Sequence, residues 1–204
     1  MPAEKTTKKT GLNFLEQIVL LAIDDKGWFG NTEHTIKFGL ASAILFELFT
    51  LKRIEYKNSK IQILNPDPTK EPVLDKVLDV LKSAKKPWGV RGTIKKIVYK
   101  KLGIRKAAIQ SLLDKKIVRK EEYSLLWIMY QNKFPLVNGN LKHDLREKIY
   151  NLILSEKPLD SSTFMMMVIM HNCNMLRKNF KDFEHYKRFH LRVKDILESK
   201  ESTD

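Results

Sequence analysis

The sequence lacks an apolar run long enough to cross a bilayer. Its longest nearly unbroken run, Phe164 to Met170, falls far short of the roughly 20 residues that a membrane-spanning helix needs. The first ten residues are rich in lysine and threonine, so we expect no secretory signal there. The single cysteine, Cys173, cannot form an internal disulfide, which fits a reducing compartment. We therefore expect a cytoplasmic protein.

Motifs that carry catalysis or metal binding are also missing. The chain has no glycine-rich phosphate loop, no Gly-x-Ser-x-Gly elbow and no zinc signature. Asp24 and Asp25 are adjacent carboxylates, but neighbours on a helix diverge by about 100° and cannot act on one bond together, which favours a turn. His171 and Cys173 lack a second cysteine or a histidine at ligand spacing. We expect no enzyme, no metal and no cofactor.

Acidic residues are nearly absent from one stretch of an otherwise balanced chain. The formal net charge is +14, and residues 81–120 hold 14 lysines and arginines against one acid, Asp114. The remainder holds 24 basic and 23 acidic residues. Such a concentration repels itself unless it meets an anionic partner, which makes nucleic-acid phosphates and anionic lipid headgroups the candidates. A merely solvated helical face is the plainer interpretation.

Apolar spacing predicts a mainly α-helical protein with two small hairpins. The hairpins are expected at 53–64 and 115–130. The last helix should turn Phe183, Tyr186, Val193 and Leu197 inward. The predicted helices span residues 12–23, 36–51, 73–81, 90–99, 104–116, 141–154, 161–175 and 181–197.

An apolar segment, Leu125 to Met129, directly follows the basic stretch. Its Trp127, flanked by Tyr123 and Tyr130, suits a bilayer interface, where aromatic rings anchor and basic side chains meet phosphates. An ordinary core strand is the alternative. We predict that the membrane-inserting residues are Leu125, Leu126, Trp127 and Ile128, and that the headgroup-binding residues are Arg91, Lys95, Lys101, Arg105 and Lys106.

Several segments then occur in a recognisable order. They read LEQIVLLAIDDKG at 15–27, GLASAILFEL at 39–48 with KRI at 52–54, PVLDKVL at 72–78, LLDKKIV at 112–118, and a hairpin from Leu125 to Leu136 that ends in Phe-Pro-Leu. With this ordered set, from about Leu12 to Leu197, the chain resembles the Golgi phosphoprotein 3 family of peripheral membrane proteins.

The resemblance implies a fold and a function. The fold would be mainly α, with a central helical bundle, surrounding amphipathic helices and one or two short β-hairpins. One globular domain would span residues 12–198, between a flexible basic tail at 1–11 and a polar tail at 199–204. The family inserts an apolar hairpin into the membrane, binds phosphatidylinositol 4-phosphate beside it, and in eukaryotes acts as an adaptor that retains glycosyltransferases by their cytosolic tails.

The phosphoinositide pocket of eukaryotic members uses one tryptophan and three arginines. By local alignment, the tryptophan position falls on Thr32, the first arginine on Ala41, and the remaining pair on Leu102 and Arg105. Only Arg105 matches. We therefore expect attachment to anionic membranes with at most a weak preference for phosphatidylinositol 4-phosphate, because lysines bind phosphates as point charges without the geometry of paired arginines.

Two other functions compete with this interpretation. Segments 48–54 and 112–117 each end a helix and enter a β-like run, which is the winged-helix plan of nucleic-acid-binding proteins. A DNA-binding wing would carry basic and polar residues at its tip, whereas this tip is apolar. An interaction module that buries the hairpin in a homo-oligomer would need no membrane at all.

Overall fold

The computed structural model describes residues 11–125, 129–155 and 158–201, and it is mainly α-helical, as predicted. Within that part of the chain there are nine helices and two antiparallel two-stranded sheets. Strand β1 (Ile54–Lys57) pairs with β2 (Lys60–Ile63), and β3 (Glu121–Leu125) pairs with β4 (Met129–Lys133). The helices are α1 (Phe14–Ala22), α2 (Ile36–Thr50), α3 (Pro72–Lys82), α4 (Val90–Tyr99), α5 (Ile104–Asp114), α6 (Asn140–Leu154), α7 (Ser161–Asn172), α8 (Leu176–Asn179) and α9 (Phe183–Glu201).

Helix α1 is the centre of the fold. All nine of its residues are buried, including Glu16 and Gln17, and it packs against α2, α5, α6 and α7. A helix that is apolar on nearly every side needs neighbours on every side, and the four surrounding helices supply them. Helix α1 is thus the buried element on which these helices pack.

Two local predictions are wrong. The helix predicted to run through residue 175 ends at Asn172, because Asn174 adopts a left-handed backbone with φ of 56°. The N–H groups of Asn174 and Met175 then bond back to His171 and Met170, which closes a Schellman motif. In α9, Phe183 is 69% exposed, and it lies in the first turn, before the inner stripe that Phe189 and Val193 form.

The start of α1 is capped by a local pair of hydrogen bonds and is also bonded to α5. The Asn13 side chain accepts from the Glu16 N–H, and the Glu16 carboxylate accepts from the Asn13 N–H, both at 2.8 Å. Buried Glu16 also accepts from Ser111 Oγ at 2.5 Å and from Lys115 Nζ at 2.7 Å. The charge of this buried carboxylate is thus fully compensated, and it ties α1 to the end of α5.

The other end of α1 presents the backbone carbonyls of residues 21–23, which the helix itself cannot satisfy. Side chains from three other places donate to them. Asn179 Nδ2 donates to the carbonyl of residue 21 at 2.9 Å. Lys178 Nζ and Thr32 Oγ1 donate to the carbonyl of residue 22 at 2.8 and 2.9 Å. Lys142 Nζ donates to the carbonyl of residue 23. Two of the four donors are lysines, which also complement the negative end of the helix dipole.

Lys142, which bonds to the end of α1, is fully buried. Burial lowers the pKa of its ammonium to about 7, and Asp25, 3.7 Å away, opposes the shift. Asp25 also accepts hydrogen bonds from Arg146 at 2.9 Å and Lys181 at 2.5 Å. Partial burial disfavours its charge, but these bonds hold the pKa of the Asp25 carboxyl well below its usual range.

Glu47 on α2 is the other acid that touches α1. Its Oε1 accepts from the Leu15 N–H at 3.2 Å. Burial raises the pKa of the Glu47 carboxyl to about 7, because the backbone N–H groups of Leu15 and Phe14 compensate only part of the lost hydration. Below its unfolded pKa of 4.5 the group is neutral in both states. Between pH 4.5 and 7 only the unfolded chain loses the proton, so stability falls as pH rises toward 7 and changes no further above it.

We therefore predict that Glu47→Gln, which keeps an acceptor for the Leu15 N–H, stabilises the protein only at higher pH. The gain should be near zero at pH 4.5, grow between pH 4.5 and 7, and level off above pH 7 at about 2–3 kcal/mol. Urea denaturation across this range measures it. Glu198→Gln on the exposed side of α9 is the control, expected within about 0.5 kcal/mol of wild type. A gain from Glu47→Gln that does not vary with pH would contradict the prediction.

Candidate functional site

The basic stretch forms an exposed surface with few acids to balance it. Five of its 14 cations make ion pairs, namely Lys82, Arg105, Lys115, Arg119 and Lys120. The other nine are exposed and have no carboxylate within 4 Å among the described residues. We call these nine the basic surface: Lys85, Lys86, Arg91, Lys95, Lys96, Lys100, Lys101, Lys106 and Lys116.

Helix α4 is amphipathic, and this orients the middle of the basic surface. Thr93 and Ile97 are buried, and α4 packs on α2. Arg91 and Lys95 lie one turn apart on the opposite, exposed side. The chain then turns through Lys101 and Gly103, both at positive φ, before α5 begins. Four of the five predicted headgroup residues are therefore exposed without an ion-pair partner in the described chain.

Arg105, the fifth, is engaged differently. Its guanidinium carbon lies 5.0 Å from the centre of the Phe29 ring, and it pairs with the Glu33 carboxylate. The side chain is 42% exposed. A cation over an aromatic face is attracted by the ring quadrupole, and the exposed part of this side chain remains accessible. Lys178 Nζ donates to the Phe29 carbonyl at 2.5 Å and fixes the same loop from behind.

The β3–β4 hairpin is attached to the turn that precedes Phe29. Asp24 Oδ1 accepts from the N–H groups of Lys26 and Trp28, which confirms the predicted turn role of this acid. The Gly27 carbonyl accepts from the Phe134 N–H at 2.9 Å, at the end of the hairpin. The Trp28 and Tyr123 rings meet edge to face at 5.8 Å. Adjacent residues 28 and 29 thus connect the hairpin base with Arg105.

Glycine is required where the turn and the hairpin meet. Gly27 has φ of 88°, and a Cβ on it would lie 2.3 Å from the Pro135 nitrogen. No side chain can occupy that space, so the backbones approach as closely as their atoms allow.

A family model described as Golgi phosphoprotein 3 (GPP34) matches residues 15–204. The chain belongs to the Golgi phosphoprotein 3 family. Membership supports a Golgi phosphoprotein 3-like role, and the family is non-enzymatic. None of the helices in residues 11–125, 129–155 and 158–201 has both the length and the hydropathy to cross a membrane.

The four positions predicted from the resemblance to correspond to the headgroup pocket, Thr32, Ala41, Leu102 and Arg105, differ in exposure, and their assignment to a pocket stays a prediction. Thr32 and Ala41 are completely buried, and the Thr32 hydroxyl already donates to backbone carbonyls. Leu102 packs against the core. Of the four aligned positions, Arg105 alone offers a cation to the surface.

The predicted tip falls largely outside the described residues. Leu125 ends β3 opposite Met129. Leu126, Trp127 and Ile128 lie outside the described residues, as does the side chain of Leu125. The insertion of these four residues stays a prediction.

Sequence reasoning missed the residues that surround Arg105. Phe29, Glu33 and Lys178 were not expected near it, and they come from segments 72 or more residues away in the chain. The adjacent aromatics Trp28 and Phe29, directly after an Asp-Asp-Lys-Gly turn, were the available signal, because large aromatic side chains make extensive contacts where they pack.

We predict that Gly27→Ala destabilises the hairpin attachment more than Gly103→Ala does. Both glycines have positive φ, so both variants incur roughly 1–2 kcal/mol of backbone strain. A Cβ at Gly103 meets nothing within 4 Å, whereas at Gly27 the clash with Pro135 adds about 1–3 kcal/mol. Thermal unfolding measures the loss, and hydrogen exchange in β3 and β4 should accelerate only in Gly27→Ala. Equal losses in both variants would show that the close approach is unimportant.

Proposed function

We propose that this protein is a non-enzymatic peripheral membrane protein of the cytoplasmic membrane face, which binds anionic lipid headgroups through its basic surface and inserts its apolar hairpin tip. The carrying observation is the nine exposed cations without a carboxylate partner in the described chain. Such charges repel one another in solution. At an anionic bilayer each contributes roughly 1 kcal/mol of attraction.

The neighbourhood of Arg105 supports one site in which headgroup contact and insertion occur together. Arg105 stacks on Phe29, and the next residue, Trp28, contacts Tyr123 at the hairpin base. Trp and Tyr favour the interfacial layer, where lipid phosphates also lie. A phosphate reaching Arg105 competes with Glu33 for the guanidinium, so this acid lowers the affinity at that point.

Selectivity for phosphatidylinositol 4-phosphate is weak in this proposal. Three of the four family pocket positions carry no cation, and lysines on α4 offer charge without the fixed geometry of paired arginines. At matched charge, other anionic lipids therefore bind almost as well. Cytosolic tails of membrane proteins are the partners that an adaptor role in this family implies.

A winged-helix-like nucleic-acid-binding protein is the alternative, with the same cations on nucleic-acid phosphates. The composition of residues 125–129 argues against it, because an apolar tip gains little from a nucleic-acid groove. Burial of that tip in a homo-oligomer is the other alternative.

Reversal of two charges on α4 tests whether the basic surface binds anionic lipid headgroups. We predict that Arg91→Glu with Lys95→Glu weakens binding to anionic vesicles by more than about tenfold, since each lost cation removes roughly 1 kcal/mol. Lys187→Glu with Arg188→Glu, on exposed α9, is the control with the same change in net charge. Vesicle flotation at low and high salt gives the affinities. Equal binding to neutral vesicles would rule out the headgroup role, and preferential binding to competing duplex DNA would favour the alternative.

The tip is tested by a second double variant. We predict that Leu126→Asp with Trp127→Asp abolishes flotation and leaves the melting temperature unchanged, because an exposed apolar side chain loses roughly 1.5–3 kcal/mol of lipid burial but little stability in water. Leu51→Asp with Leu64→Asp, two exposed leucines away from the hairpin, is the control expected to float normally. Unfolding of the tip variant would instead assign this segment to the core or to a subunit contact.

A further inference from the structure

A long apolar groove is lined by residues that belong neither to the basic surface nor to the β3–β4 hairpin. It encloses about 1040 Å³ between α2, α7 and α9, with β1 and the start of α4 along one side. Four of its lining side chains, Phe38, Phe49, Tyr56 and Val90, are large, apolar and 42–58% exposed. Contiguous exposed apolar surface of this kind marks binding sites, and the volume is at the upper end of the range for small-molecule pockets.

The polar groups of the groove are directed at the protein's own backbone. Thr35 Oγ1 donates to the Cys173 carbonyl at 3.1 Å, Ser42 Oγ to the Phe38 carbonyl at 3.0 Å, and Asn172 Nδ2 to the Val168 carbonyl at 2.9 Å. Few donors or acceptors are left for a ligand along its length. The interior therefore favours a hydrocarbon chain over a polar molecule or a peptide backbone.

Charge at the rim of the groove selects the headgroup of such a ligand. Arg192 of α9 lines the groove and makes one long bond, from Nε to the Ile153 carbonyl at 3.4 Å. No carboxylate lies within 4 Å of it among the described residues. Val90 and Ile94 of α4 also line the groove.

One acid, Glu55, lies in the lining. It belongs to β1, whereas Arg192 belongs to α9, and the two make no ion pair within the described chain. Arg192 is therefore the lining cation that is available to a single negative group. The tails outside the described residues are too polar to fill the groove, since residues 1–10 and 202–204 contain only Met1, Pro2 and Ala3 as apolar residues.

We propose that this groove binds a long-chain fatty acid, with the hydrocarbon chain along α2 and α7 and the carboxylate at Arg192. An apolar chain with one terminal negative group matches this lining, in which most side chains are apolar and Arg192 is the cation. The site is independent of the proposed membrane surface, and the test therefore contains no membrane.

Calorimetric titration of the full chain with oleate, below its micelle concentration, tests the site directly. Saturable one-to-one binding is expected. Arg192→Gln should weaken it about tenfold, which corresponds to one charge-assisted hydrogen bond, and should leave oleyl alcohol binding unchanged. Lys187→Gln, on the same helix but outside the lining, is the matched control and should bind oleate normally. Equal loss of oleate and oleyl alcohol in Arg192→Gln would overturn the role of Arg192.

Two substitutions that fill the groove test where the hydrocarbon chain of the fatty acid lies. Ser42→Trp and Ser161→Trp place a ring in the open groove from α2 and α7 without removing a buried apolar group, and each should abolish binding. Melting temperatures identify a variant that has failed to fold. In that case oleate binding by the other, folded variant tests the site. Unchanged binding in a folded variant, or no saturable binding by wild type, would overturn the proposal. Self-association that either variant abolishes, without oleate binding, would assign the groove to a second copy of the chain.

Discussion

The structure depends on burying a helix whose last carbonyls have no partners of their own. Helix α1 is enclosed on all sides, so water cannot reach the carbonyls of residues 21–23, and an unsatisfied buried carbonyl costs on the order of 1–3 kcal/mol. Donors must come from elsewhere in the chain, and they come from the 3₁₀ turn at Thr32, from α6 and from α8. These bonds determine where the later helices sit relative to the first.

The same bonds determine the position of the surface. Lys178 bonds both to the end of α1 and to the Phe29 carbonyl, so the loop under Arg105 is fixed by the group that satisfies the helix. Gly27 and Trp28, in the turn between them, hold the hairpin base. Arg105 is partly exposed, but Phe29 beneath it is attached to the core through Lys178. Loss of a buried donor would therefore displace the surface as well as destabilise the fold.

Much of this architecture could be predicted from local pattern. The period of apolar residues gave α4 at its observed bounds, and turn residues separated β1 from β2. The partners of Arg105 could not be predicted, because Phe29 and Glu33 reach it through tertiary packing alone. The end of α7 at Asn172 was not predicted, for a related reason. An asparagine in the left-handed region looks like any polar residue in a helical pattern until its hydrogen bonds are known.

The absence of acidic partners around the basic surface, within the described chain, also has a kinetic consequence. No ion pair has to break before these nine side chains meet a negatively charged surface, so the encounter proceeds without a reorganisation step. Long-range attraction acts on the rate of association and decays over about 8 Å at physiological ionic strength. Residence time would then be determined separately, by short-range contacts at the hairpin. Different residues of the same domain would then control the association rate and the dissociation rate.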